Sequence, residues 1–224
     1  KKCMIGTGAM SDPYLHYEKE LKLTQKCLEI IDKYGFGATI QTKSNMILRD
    51  LELLKSINQK SKCVVQMTLT TYDENLCKII EPNVCTTYER YKTLKILNQN
   101  NIPTVVWISP ILPYINDTKE NLNGLLNYCF DANVKGIICF GMGVTLRSGD
   151  REYFYSALDK NFKGLKEKYI HRYGDSYECA SDNQKELMNL LYDKCKVANT
   201  MCNINDIFNY LHYFPEQDNQ LSFF

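Results

Sequence analysis

Histidine is scarce in this chain: His16, His171 and His212 are the only three among 224 residues and lie far apart in sequence. A histidine-based metal site has little to build on. The ten cysteines (Cys3, Cys27, Cys63, Cys77, Cys85, Cys129, Cys139, Cys179, Cys195 and Cys202) include no C-x-x-C pair. Most sit inside apolar runs, as buried thiols do. An excess of charge is missing too, since 27 basic residues against 26 acidic ones leave +1. No bulk electrostatic attraction to nucleic acid follows, although a local basic patch could still bind one. The sequence has no run of 18 apolar residues and no signal-peptide pattern. These absences lead us to expect a reducing, cytoplasmic setting, no membrane partner and no metal ligands.

What is present is a repeated strand–loop–helix pattern. Cys3-Met4-Ile5 runs into Gly6-Thr7-Gly8-Ala9-Met10-Ser11-Asp12-Pro13-Tyr14, where Asp12 followed by Pro13 forces a turn. Tyr17 to Tyr34 then reads as a helix. Further strands are predicted at Phe36–Thr42, Lys62–Thr71, Pro103–Pro110 and Val134–Gly141. Helices are expected from about Arg49 to Asn58, Thr87 to Asn100 and Asp117 to Ala132, with Asp73 an N-cap. Such alternation predicts an α/β fold with a parallel sheet. Five units are too few for a closed eight-stranded barrel, so a partial barrel or open sheet is expected. We expect residues 1–150 to form this unit and 151–214 a C-terminal helical extension packed on it. That extension would hold helices at 151–162 and 184–197, separated by a stretch carrying Tyr169, Tyr173 and Tyr177 that packs on the domain. Residues 215–224 form a tail.

Four strands end in polar or proline-punctuated loops: Ser11-Asp12, Thr42-Lys43-Ser44, Thr68 to Thr71, and Pro110-Ile111-Leu112-Pro113. In a parallel sheet these ends share one rim, the ligand-facing edge. Lys43 could hold a carboxylate there or form a Schiff base, and Ser11 and Asp12 could take an amino group or a ribose. Thr68 and Thr70 point to one side of their strand. Glu81 and Arg90 make a candidate ion pair, and Arg147 follows the last strand where it could meet an anion.

Taken together, G-A-M-S-D-P-Y at 8–14, T-K-S-x-x-x-L-R-D at 42–50, I-E-P at 80–82 with E-R at 89–90, P-I-L-P-x-I-N-D at 110–117 and T-L-R at 145–147 resemble the radical S-adenosylmethionine proteins of the spore photoproduct lyase group, the DNA repair photolyase-like proteins. The resemblance implies a partial (β/α)6 TIM-like barrel and S-adenosylmethionine as cofactor. It would place Ser11 and Asp12 at the methionine amino group, Lys43 at the carboxylate, and Thr68 where the family has a serine near the cofactor. Arg90 would support these from behind, and Ile111 would pack against adenine. The family's first unit carries a C-x-x-x-C-x-x-C loop that ligates a [4Fe–4S] cluster. No such spacing occurs here, so the resemblance implies a chain lacking that unit and its cluster ligands, with the Cys3–Gly8 strand left at an edge. This chain alone would then be inactive. Met10 stands where the lyases proper have a hydrogen-donating cysteine, which sets thymine-dimer repair apart from what this chain would do.

The reading that follows is the barrel portion of a radical S-adenosylmethionine enzyme, lyase-like, with DNA repair as its implied setting and DNA as an implied partner. Spacing alone supports a Schiff-base lyase or aldolase using Lys43, and a third reading is a non-catalytic binding module. At the C-terminus, Gln220-Leu221-Ser222-Phe223-Phe224 either folds back onto the barrel or serves as a docking motif, since it resembles the peptide by which bacterial replication and repair proteins dock on the sliding clamp. Gln220 would sit at the pocket edge, and Leu221, Phe223 and Phe224 would fill it.

Overall fold

A computed structural model of the protein describes residues 1–215. Five strands, β1 (Met4–Thr7), β2 (Gly37–Thr42), β3 (Cys63–Leu69), β4 (Thr104–Ile108) and β5 (Gly136–Ile138), form one parallel sheet in the order of the sequence. Between them run α1 (Glu18–Leu21), α2 (Leu23–Tyr34), a 3-10 turn (Asn45–Asp50), α3 (Leu51–Lys60), α4 (Glu74–Ile80), α5 (Thr87–Gln99) and α6 (Lys119–Asp131). Sequential order with right-handed crossovers puts every connecting helix on the same face of the sheet. The strand order never reverses, so there is no doubly wound crevice, and the half-barrel reading holds.

Strand alternation separates the two faces. Ala38, Ile40, Val65, Met67 and Leu69 enter a core shared with Leu28, Leu54, Leu94 and Leu125 of the helices. On the other face Val64, Val105 and Ile138 pack against Ile207 and Leu211 of α10 (Ile204–His212). This last helix, which no motif announces, covers the open face over β3, β4 and β5. The buried ammonium of Lys62, at the head of β3, donates to the carbonyls of Tyr210 and Tyr213 and so holds the carboxyl end of α10. Burial lowers the Lys62 pKa from its ordinary value.

The predicted helix from Tyr17 to Tyr34 is two helices, broken at Lys22, whose φ is 52°. The cause is Glu18: its carboxylate turns back to accept from the amides of Leu23 (2.9 Å) and Thr24 (3.1 Å) and starts α2 afresh. Asp73 caps α4 as expected, accepting from Leu76 N at 2.8 Å. The C-terminal extension holds α7 (Asp150–Asn161), α8 (Leu165–Tyr173) and α9 (Gln184–Val197). It also contributes β7 (Glu178–Ala180), which pairs antiparallel with β6 (Gly143–Thr145) of the preceding unit, so it is helical but for this one short strand. The tyrosine-rich stretch is therefore largely α8, with Tyr169 buried and its hydroxyl donating to Pro113 O at 2.8 Å. β1 is an edge strand with Ile5 38% exposed. No helix among the described residues is long and apolar enough to cross a membrane. The clamp-like motif at Gln220–Phe224 lies outside the described residues.

Candidate cofactor cleft at the strand ends

The end of β1 is joined to the end of β2 through one carboxylate. Asp12 Oδ1 accepts from Tyr14 N at 2.9 Å and from the Thr42 hydroxyl at 2.7 Å, and Oδ2 accepts from Lys43 N at 2.7 Å. The approach of the two chains requires Gly8. Its φ is 99°, and a Cβ there would stand 1.9 Å from the Gln41 carbonyl oxygen. Thr42 Oγ1 in turn accepts from Ser44 N (2.9 Å), and Ser44 Oγ caps the 3-10 turn by accepting from Met46 N (3.2 Å).

Lys43 reaches out from this brace. Its Nζ lies 2.6 Å from Glu81 Oε1, and Glu81 Oε2 accepts from Arg90 Nη2 at 2.9 Å. Arg90 is fully buried and also donates to the carbonyls of Cys85 (2.9 Å) and Thr68 (3.0 Å). One arginine thus fastens α5 to the end of β3 and to the loop after α4. Burial alone would raise the Glu81 pKa, but the Arg90 and Lys43 charges and their hydrogen bonds outweigh it and hold the carboxyl below its ordinary range. Lys43 itself stays 34% exposed.

A cleft of about 610 Å³ opens over this arrangement, with Asp12, Lys43, Ser44, His16, Lys19 and Cys85 among its walls. The structure thus brings Asp12, Thr42, Lys43, Ser44 and, from beneath, Arg90 and the Thr68 carbonyl into one unit. It does not bring the others there. Ser11 is exposed and lies outside the cleft wall. Thr70 is sealed under Asn116, whose amide donates to its carbonyl at 2.8 Å, and Ile111 is buried in the helix-side core. The Thr70 and Thr71 hydroxyls are buried without a hydrogen-bond partner. Arg147 is bound to the Tyr177 hydroxyl, which holds the tyrosine pKa below its ordinary value.

Sequence reasoning missed the group that fixes the loop carrying Asp12. Arg49 donates to both Asp50 oxygens (2.9 and 2.7 Å) and to Glu18 Oε1 (2.8 Å), while the Tyr14 hydroxyl donates to Asp50 Oδ2 at 3.1 Å. Burial and then Asp50 push the Tyr14 pKa far up. The Arg-Asp step at 49–50 of the quoted motif, read against Tyr14, was the available signal. His16, Lys19 and Cys85 carried none.

The cleft offers two unspent hydrogen-bonding capacities. A carboxylate oxygen has about two lone-pair sites and an ammonium three donors. Asp12 Oδ2 receives one bond, and Lys43 Nζ makes one side-chain hydrogen bond, to Glu81. An ammonium could therefore bind at Asp12 while a carboxylate binds at Lys43, the two poles of an amino-acid head group. Among the described residues, no three His, Cys, Asp or Glu side chains gather to hold a metal. The described residues do not fit an iron–sulfur cluster.

Fold and cleft together define a singly wound parallel half-barrel with a polar pocket at its strand-end rim. A domain of pyruvate-formate lyase-activating enzyme from Bacteroides vulgatus shares this fold, with a TM-score of 0.53 over 89% of this chain and 96% of that one at 9% identity. SuiB of Streptococcus suis, solved with S-adenosylmethionine, matches more loosely, at a TM-score of 0.44 over 89% of this chain and 45% of that one with 15% identity. That likeness is too weak to bear on function. In sequence, the chain is 37% identical over 118 residues to an uncharacterized protein of Methanocaldococcus jannaschii, covering 53% of this chain and 44% of the relative. It is 25% identical over 169 residues to an uncharacterized protein of Mycobacterium tuberculosis, covering 75% and 49%. The chain spans about half the length of the curated relatives it matches. No family model matches.

Proposed function

We propose that this chain is the S-adenosylmethionine-binding barrel portion of a radical S-adenosylmethionine enzyme of the photoproduct-lyase-like group. The observation that carries the reading is the pairing of an open acceptor site on Asp12 with open donors on Lys43 in one cleft of about 610 Å³. Asp12 would hold the methionine ammonium and Lys43 the carboxylate. Glu81 and Arg90 keep Lys43 in place, and Thr42 orients Asp12. With a reduced iron–sulfur cluster, S-adenosylmethionine would supply carbon-radical chemistry, and the described residues offer no ligand set for such a cluster. A lyase reaction and a setting in DNA repair belong to this proposal on the strength of the motif resemblance alone.

Calorimetric titration with S-adenosylmethionine tests it. Saturable binding is expected, weakened about tenfold or more in Lys43→Ala, since a hydrogen bond to a charged group contributes about 1.5–3 kcal/mol. Equal affinity in the variant, or no saturable binding by a folded protein, would overturn the proposal. Borohydride trapping of a carbonyl compound on Lys43 would replace it with the aldolase reading.

A further inference from the structure

A second cleft, of about 640 Å³, lies between α4, the loop after β4 and the inner side of α7. The size is in the usual range for a small-molecule site. Its walls are mainly apolar, with Ile79 and Ile80 from α4, Leu112 and Ile115 from the loop and Phe154 and Phe162 from α7 and its end, and Ser156 and Asn161 add polar groups. Ile79 is 45% exposed, and Cys77 is the one buried residue of α4. The charges are one-sided. Lys78 and Lys160 line the cleft and no aspartate or glutamate does. Neither lysine makes an ion pair among the described residues. Pro82 is common to this cleft and to the cleft carrying Lys43, and it directly follows Glu81. The second cleft therefore adjoins the proposed cofactor site through a shared wall.

We infer that this cleft binds a small amphipathic anion, an apolar body bearing one carboxylate or phosphate. Apolar walls favour the body by removing its surface from water. Two unpaired lysines favour an anionic head and disfavour a cationic one. Lying next to the proposed site, such a molecule would be its substrate or a close mimic. That part rests on the proposed function, whereas the binding itself does not.

Three ten-carbon probes separate the terms: decanoate, 1-decanol and decyltrimethylammonium, each titrated below its micellar concentration by fluorescence or calorimetry. Decanoate is expected to bind saturably with one site, decanol about tenfold more weakly, and the ammonium not measurably. Lys78→Gln with Lys160→Gln should bring decanoate down to the decanol level and leave decanol unchanged. Ile79→Trp, at an exposed position that leaves folding intact, and Ala157→Trp, checked by circular dichroism, should each block both ligands. Decanol binding as tightly as decanoate, or decanoate binding that survives Ile79→Trp, would overturn the assignment. So would a short oligothymidylate that binds in a manner sensitive to the lysine changes while decanoate does not bind. Decanoate binding with no S-adenosylmethionine binding would keep this site and remove the proposed function.

Discussion

On its helix side the sheet presents Ala38, Ile40, Val65, Met67 and Leu69 to a continuous apolar core, whereas its open side presents Thr39, Gln66 and Trp107 joined by hydrogen bonds. Gln66 donates to the Thr39 hydroxyl at 2.8 Å and accepts from the Trp107 indole at 2.8 Å. The first face is held by area removed from water, the second by partners that must all be present. Apolar residues continue on the open side only where α10 covers it, at Val64, Val105 and Ile138. Toward the strand ends the polar groups take over and lead to the brace of Asp12 and the ion group around Glu81. One sheet thus divides its work: a fastening face, and a polar face whose groups are fixed in position near the rim.

Substitutions can break that division in order of severity. Arg90→Met should be the most damaging, at about 3–5 kcal/mol, because it leaves a buried carboxylate at Glu81 with one partner fewer. Urea unfolding measures it, and a loss under 1 kcal/mol would mean that the ion group is ornamental to the fold. On the fastening face Met67→Ala should cost about 2–5 kcal/mol through the cavity it leaves.

Acid gives a third test, of the polar face alone. The Glu81 carboxyl is held below its ordinary value of 4.5, so its contribution to stability is complete above that pH and is lost as the pH falls through the lowered folded value. The wild-type melting temperature should therefore drop below about pH 4.5 more steeply than that of Glu81→Gln. Parallel curves for the two proteins would show that Glu81 contributes nothing to acid unfolding. The smallest effect belongs to Gln66→Leu, about 1 kcal/mol, since it unpairs Trp107 and Thr39 at a site still slightly open to water.

The legibility of the sequence followed the same division. All five parallel strands, the capping aspartate Asp73 and the helices after β3, β4 and β5 could be read in advance, because the apolar periodicity that reveals them is the periodicity of the fastening face. The rim was partly legible, as strand ends with polar residues, and Asp12, Thr42, Lys43 and Ser44 do meet there. Thr70 and Ile111 shared a strand end with the rim residues yet point into protein, because a position near a rim does not fix the direction of its side chain. The break at Lys22 depended on a glutamate capping a helix that starts five residues later, which no local propensity reveals. The ribbon of β6 and β7 pairs residues more than thirty apart in sequence, and α10 is defined by what it covers. Long-range pairing and the second face of a sheet leave the weakest trace in a single sequence.

The central claim is that Asp12 and Lys43 hold the two poles of one amino-acid head group. The most direct measurement compares S-adenosylmethionine with its decarboxylated analogue, titrated into the wild type and into Lys43→Ala. Loss of the carboxylate should weaken binding about tenfold or more in the wild type and leave Lys43→Ala nearly unaffected, because the partner of that carboxylate is then already gone. An equal loss in both proteins, or none in the wild type, would contradict the account.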